Sequence, residues 1–206
     1  MGVPRTGFPR ALKRLYDYLD GVTTQDDGDV LVGAIPAVTG LSVSEEGSGA
    51  LRRTVLTFTD MAVALVDEPG VVAYKGTKVY DMPAGLIQIF GAVLDVVITK
   101  SSAGVIATAD GDTGVGTVTA SNDATLAATE QDIIPTTAWT QMVDGATTLK
   151  THNAAAIAPI VAGLTTDVDI FLNNLVDDTD HDVTTTPCNL IINGTLVLTW
   201  ANLGNH

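Results

Sequence analysis

Leu190-Ile191-Ile192-Asn193-Gly194-Thr195-Leu196-Val197-Leu198 is the stretch on which the fold turns. Two aliphatic runs flank an Asn-Gly pair, and Asn-Gly supplies the two positive-φ residues of a type I′ turn, whose twist matches that of paired strands. The stretch therefore predicts an antiparallel hairpin. In that register Ile191 and Leu196 share one face, while Leu190, Ile192 and Val197 belong to the other. Both faces are apolar. A sandwich strand buries one face on its core, so the second needs another layer, an arm or a neighbouring subunit. Leu190, Ile192 and Val197 are accordingly the expected oligomer interface.

Upstream, from residue 51 onward, apolar and polar residues alternate with period two. Strands are expected at 54–59 and 61–66, followed by turn residues at 67–70, and shorter pieces at 71–74 and 78–80. The Ile- and Val-rich run 86–99 exceeds the usual strand length, and Gly91 marks a bulge or bend inside it. Strands at 105–109 and 115–120 flank an expected turn at 110–114. Residues 124–134 read as a helical turn or two ended by Pro135, with later strands at 157–161 and 167–172. Many short strands, regular turn signals and scant helix predict an all-β sandwich of jelly-roll-like type for residues 51–206. Sequence alone does not separate this from an immunoglobulin-like sandwich, although no Cys…Trp…Cys spacing supports the latter.

Residues 1–50 read as an extended N-terminal arm carrying one short amphipathic helix at about 8–20. Phe8, Leu12, Leu15 and Leu19 recur at helical spacing and form one apolar stripe. Pro9 and Gly21 bracket it as helix termini require. Arg5, Arg10, Lys13 and Arg14 concentrate positive charge here, whereas beyond residue 100 the only Lys or Arg is Lys150. A helix this short is marginal alone in water, so the stripe needs a surface: its own body, a neighbouring copy or another protein. Residues 42–50 are small and Gly/Ser-rich, as linkers are, and 30–41 could add an edge strand interrupted by Pro36.

Twenty-four acidic residues against ten Lys and Arg leave a net charge of −14. That balance opposes nucleic-acid binding, because phosphates are repelled everywhere except near the arm. Charged residues make up only 17% and aromatics 5% of the chain. The surface is therefore smooth and aliphatic, the kind that is covered in an assembly. Cys188 is the single cysteine, which excludes an internal disulfide and reads as a small buried hydrophobe. The first residues lack an apolar signal core, and no apolar run reaches the roughly 20 residues of a membrane span, so a soluble chain without a secretory leader is expected.

Signals of chemistry are few. Asp178, Asp180 and Asp182 alternate and could offer hard oxygens to Ca²⁺, but an EF-hand loop fails because Val183 stands at its glycine position and Asn189 at its final glutamate. A solvated acidic loop is the economical reading. His152, His181 and His206 make no zinc spacing, and no serine lies in a G-x-S-x-G elbow. No enzyme and no cofactor are expected.

Three phrases carry a resemblance. They are Val79-Tyr80-Asp81-Met82-Pro83-Ala84-Gly85 running into Leu86-Ile87-Gln88-Ile89-Phe90-Gly91-Ala92, then Ala128-Thr129-Glu130-Gln131-Asp132-Ile133-Ile134-Pro135-Thr136-Thr137, then Gly194-Thr195-Leu196-Val197-Leu198-Thr199-Trp200-Ala201-Asn202-Leu203-Gly204. Together they resemble β-rich capsid cement (decoration) proteins of aquatic tailed bacteriophages, including cyanophages. The resemblance spans roughly residues 51–204 and leaves the arm outside. It implies a jelly-roll-like homotrimer on the outer capsid surface, made in the bacterial host cytoplasm and bound to the major capsid protein. The arm residues Arg5, Phe8, Arg10, Leu12, Lys13, Arg14, Leu15 and Leu19 are the expected grip. A tail or spike adhesin for host glycan is the alternative, and would line a groove with Trp139, Tyr74 or Tyr80.

Overall fold

Residues 33–47, 51–67, 72–140, 142–143, 146–153, 160–161, 168–177 and 188–203 are described by the computed structural model. Alternating apolar residues there become strands: β1 (Leu41–Glu46), β2 (Leu51–Ala64), β3 (Val66–Asp67), β4 (Val72–Met82), β5 (Leu86–Lys100), β6 (Gly111–Gly116), β7 (Ile134–Trp139), β8 (Ala146–Asn153), β9 (Ile160–Val161), β10 (Val168–Asp177) and β11 (Asn189–Asn202). A single 3-10 turn, Ala128–Glu130, is the only helical element among the described residues. One antiparallel sheet runs β1-β2-β11-β5-β8, with β9 pairing the start of β5, and the other runs β3-β4-β10-β6-β7. The inward side chains of both merge into one core that includes Leu56, Met61, Met82, Ile98, Leu172 and Trp200. The protein is a β-sandwich.

Two of the three longest strands of the first sheet, β2 and β5, stay apolar on the inside by using bulges. In β2 the buried positions are Arg52, Thr54, Leu56 and Phe58, then Met61 and Val63, so the phase changes between 58 and 61. Ile192 pairs Met61 and Gly194 pairs Phe58, which leaves Asp60 as the extra residue. Asp60 takes a left-handed φ of 49°, a conformation that aspartate tolerates better than most residues. The Asn193 side chain holds it there: its Oδ1 accepts the Asp60 N–H at 2.8 Å, and its Nδ2 donates to Asp60 Oδ1 at 3.1 Å. In β5 the phase passes from Ile87 and Ile89 to Ala92, Leu94, Val96 and Ile98. Thr199 pairs Gly91 and Trp200 pairs Ile89, with Phe90 left over. The bulge expected at Gly91 is present.

Asn193-Gly194 is not a hairpin turn. β11 runs straight through it, paired along its length with β2 on one side and β5 on the other. Gly194 is required because its φ is 135° and a Cβ would collide with the Asp95 carbonyl oxygen of β5. The Asn-Gly signal is genuine for a distorted backbone, but two long partner strands hold it as continuous strand, and the bulge lies opposite, at Asp60 of β2.

The other departures have similar causes. The expected turn at 110–114 lies mostly in strand β6, where Gly111 leaves room for the Trp139 ring and the Leu175 carbonyl. Residues 42–46, read as part of the linker, join Leu41 in the edge strand β1, and Ala34 exchanges two hydrogen bonds with Asp81 of β4. The folded body thus reaches back at least to residue 33. Pro135 sits in the edge strand β7, where a missing N–H is tolerated.

Candidate functional site

Beneath β1 the sandwich encloses a polar knot. Glu45 and Thr54 are cross-strand partners, as are Arg52 and Trp200, and Tyr80 reaches across from the opposite sheet. Tyr80 donates its hydroxyl to Glu45 Oε2 at 2.5 Å and accepts the Gly33 N–H at 3.1 Å. Trp200 Nε1 donates to Thr54 Oγ1 at 2.8 Å, and Thr54 donates onward to Glu45 Oε2 at 3.4 Å. Arg52 stands 3.7 Å from the other carboxylate oxygen, with only 8% and 1% of the Arg52 and Glu45 side chains exposed. Burial first, then the bond to Glu45 and its charge, push the Tyr80 phenol well above its ordinary value of 10.0. Tyr80 therefore remains a donor, and the knot fastens edge strand β1 to both sheets.

A second surface lies on the outside of the same sheet. Val55, Val197 and Val93 are in register across β2, β11 and β5, and Val93 and Phe90 are 50% and 43% exposed. A shallow groove of about 530 Å³ is lined by Phe90, Val93, Val197, Thr199, Asp95 and Lys150. It adjoins, through Thr199, a hollow bordered by Leu51, Glu46 and Arg53. Lys150 pairs with Asp95 at 2.7 Å and Arg53 with Glu46 at 3.3 Å. The groove and hollow are thus apolar with their charges cancelled in pairs.

The expected interface triplet divides. Leu190 and Ile192 are fully buried in the inter-sheet core and do not face outward; continuing β11 through Asn193 places them on the same side as Leu196, Leu198 and Trp200. Val197 alone reaches the outer groove. Its neighbours there, Phe90 and Val93, escaped the sequence reading because their facing depends on the Phe90 bulge. Trp139 and Tyr80 are core residues at 4% and 0% exposure and do not line a glycan groove, while Tyr74 is partly buried against a small cluster. Cys188 is buried. Arg5, Phe8, Arg10, Leu12, Lys13, Arg14, Leu15 and Leu19 lie outside the described residues, as do Asp178, Asp180 and Asp182.

Among the described residues no cluster of His, Cys, Asp or Glu is arranged to hold a metal ion, and no helix is long and apolar enough to cross a membrane. Acidic crowding is nonetheless felt near the end of β10: burial first, then the Asp177 charge, raise the Asp112 carboxyl above its ordinary value of 3.8. A raised carboxyl means that the folded state holds this proton more tightly, so stability falls as pH rises from 3.8 through the raised value and stays lower above it. Asp112→Asn is therefore expected to raise the melting temperature at neutral pH, with the gain vanishing by about pH 3, where both states carry the proton. Calorimetry at the two pH values checks it.

Comparison with known proteins identifies no relative: no family, no curated protein and no solved structure gives a significant match to this chain.

Proposed function

We propose that the chain is a structural virion protein, a capsid cement protein that binds the outer surface of the major capsid shell and reinforces it. The observation that carries this reading is the strand order. With the short strands β1, β3 and β9 set aside, the sheets run β2-β11-β5-β8 and β4-β10-β6-β7. That order supports a jelly-roll-like reading, an arrangement found in capsid domains, lectin domains and cupins. Between a cement and a glycan-binding role the cement reading is favoured, because Trp139 and Tyr80, which a glycan site would present, are spent on the core. The three phrases that resemble phage cement proteins fall on described strands and turns of the body, at β4–β5, at the 3-10 turn leading into β7, and on β11.

In this reading the amphipathic helix near residues 8–20 grips the major capsid protein through Phe8, Leu12, Leu15 and Leu19. Arg5, Arg10, Lys13 and Arg14 meet acidic capsid surface. The body self-associates as a trimer, and its long strands, each sharing hydrogen bonds along most of its length, resist being pulled apart as the shell is pressurised.

Purified chain added to capsids lacking it should bind saturably, in numbers on the order of the capsid subunits, as counted by co-sedimentation. Reversing Arg5, Arg10, Lys13 and Arg14 to Glu should weaken attachment at least about tenfold, most visibly at low salt. Truncation should stop before residue 33, because removing residues 33–50 would also take β1 and Glu45. Absence of binding by the intact chain overturns the cement role; full occupancy by the charge-reversed chain overturns the grip.

A further inference from the structure

We infer that the outer face of the β1-β2-β11-β5-β8 sheet is where one copy of this chain meets another. Four observations converge on it. Its centre is apolar: Val55, Val197 and Val93 lie in one row, with Phe90 beside them and Leu51 55% exposed at the margin. Its size is adequate. Strands of 14, 14 and 15 residues with two shorter neighbours, at about 3.3 Å per residue and 4.8 Å per strand, present roughly 900 Å², against the ~800 Å² per partner of a standard stable interface.

Its charge is the third observation. Two copies at −14 each repel, so association is favoured where the local charge is nearest zero. On this face the groove and the adjoining hollow contain Asp95 with Lys150, Glu46 with Arg53, and Arg52 held on buried Glu45, each already paired. The exposed Asp60 lies beyond them, at the β2 bulge, so the centre of the face has no net charge to repel an identical chain or to attract a strongly basic or acidic partner. Fourth, the β-branched Thr57, Thr195 and Thr199 flank the valine row, making a flat face of short side chains that another sheet can cover with little loss of side-chain entropy. A second copy offers the matching apolar row and the same balanced rim, whereas an acidic or basic partner gains nothing from it.

This inference goes beyond capsid attachment and is tested without capsids. Sedimentation of the full chain should give an integral multiple of 21.3 kDa. Val93→Glu places a carboxylate in the middle of the face at a half-exposed position, and should raise the concentration of half-dissociation at least about tenfold while leaving far-UV circular dichroism unchanged. Leu51→Glu, at the margin, should act in the same direction. Val118→Glu, at an equally exposed site outside this sheet (45%), should leave the mass unchanged. A wild-type chain that stays at 21.3 kDa up to high concentration overturns the inference and leaves the face to a different protein. An oligomer that survives both face variants, or that Val118→Glu dissolves equally well, overturns it too. An oligomer that forms and is lost as stated, in a chain that fails to bind capsids, would uphold the interface while removing the cement role.

Discussion

Replacing Glu45 with alanine is expected to destabilise the fold by about 3–5 kcal/mol, the range for removing one partner of a buried ion pair. The loss is compound. Arg52, with 8% of its side chain exposed, is left as a buried charge without its carboxylate; Tyr80 loses its acceptor, and Thr54 loses the group that completes its chain from Trp200. Since whole domains are stable by only about 5–15 kcal/mol, such a change consumes much of the margin. Glu45→Gln keeps an oxygen for Tyr80 and should cost clearly less, though Arg52 stays unneutralised. Urea unfolding of the three chains measures this directly. If Glu45→Ala lay within about 1 kcal/mol of wild type, the knot would have no part in holding β1.

Deleting Val197 should be more damaging still, and the contrast with deleting Phe90 is the informative part. β11 alternates without interruption, with Leu190, Ile192, Leu196, Leu198 and Trp200 all buried. Removing Val197 places Leu196 directly before Leu198, so with side chains alternating strictly one half of β11 would turn its apolar set to solvent. Burying each of those large side chains is worth about 1.5–3 kcal/mol, so losing several exceeds any plausible total stability. The Val197 deletion should fail to give a cooperative thermal transition or a soluble product. Phe90 is instead the extra residue of the β5 bulge. Without it Ile89 directly precedes Gly91, as their partners Trp200 and Thr199 are adjacent, and Ile87, Ile89, Ala92, Leu94, Val96 and Ile98 alternate on the inner face. The Phe90 deletion should therefore still melt cooperatively. Normal folding of the Val197 deletion would mean that new bulges in β2 and β5 absorb the shift.

The alternating residues of β2, β5 and β11 made the sheets legible, and Gly91 betrayed the bulge in β5. What local sequence could not decide was what Asn193-Gly194 and Asp110-Gly111-Asp112 would do. Both have the composition of turns. Asn193-Gly194 and Gly111-Asp112 are strand because the residues that govern them are distant in sequence: Val96, Val97 and Asp60 for the first, Trp139 and Leu175 for the second. The misreading of Asn193 carried a cost for the site, since folding the chain back there assigns Leu190 and Ile192 to a surface that they never reach. Glu45 was missed for another reason. It lies among serines and glycines, and a buried glutamate in such a stretch becomes visible only once Tyr80 is seen above it.

The position of β11 has a consequence for how the protein comes into being. β2 and β5, made at residues 51–64 and 86–100, are neighbours of β11 and not of each other. Until residue 202 has left the ribosome, the first sheet has a gap at its centre, bordered by two long strands with unpaired amides and open apolar faces. A nascent chain in that state is a template for the same strands of other nascent chains. Closure across so wide a sequence separation is also intrinsically slow. Of the strands of this sheet β11 is made last and acts as a keystone: the sheet cannot close before residue 202 has emerged, and the yield in a crowded polysome is set by how quickly that one strand finds its slot.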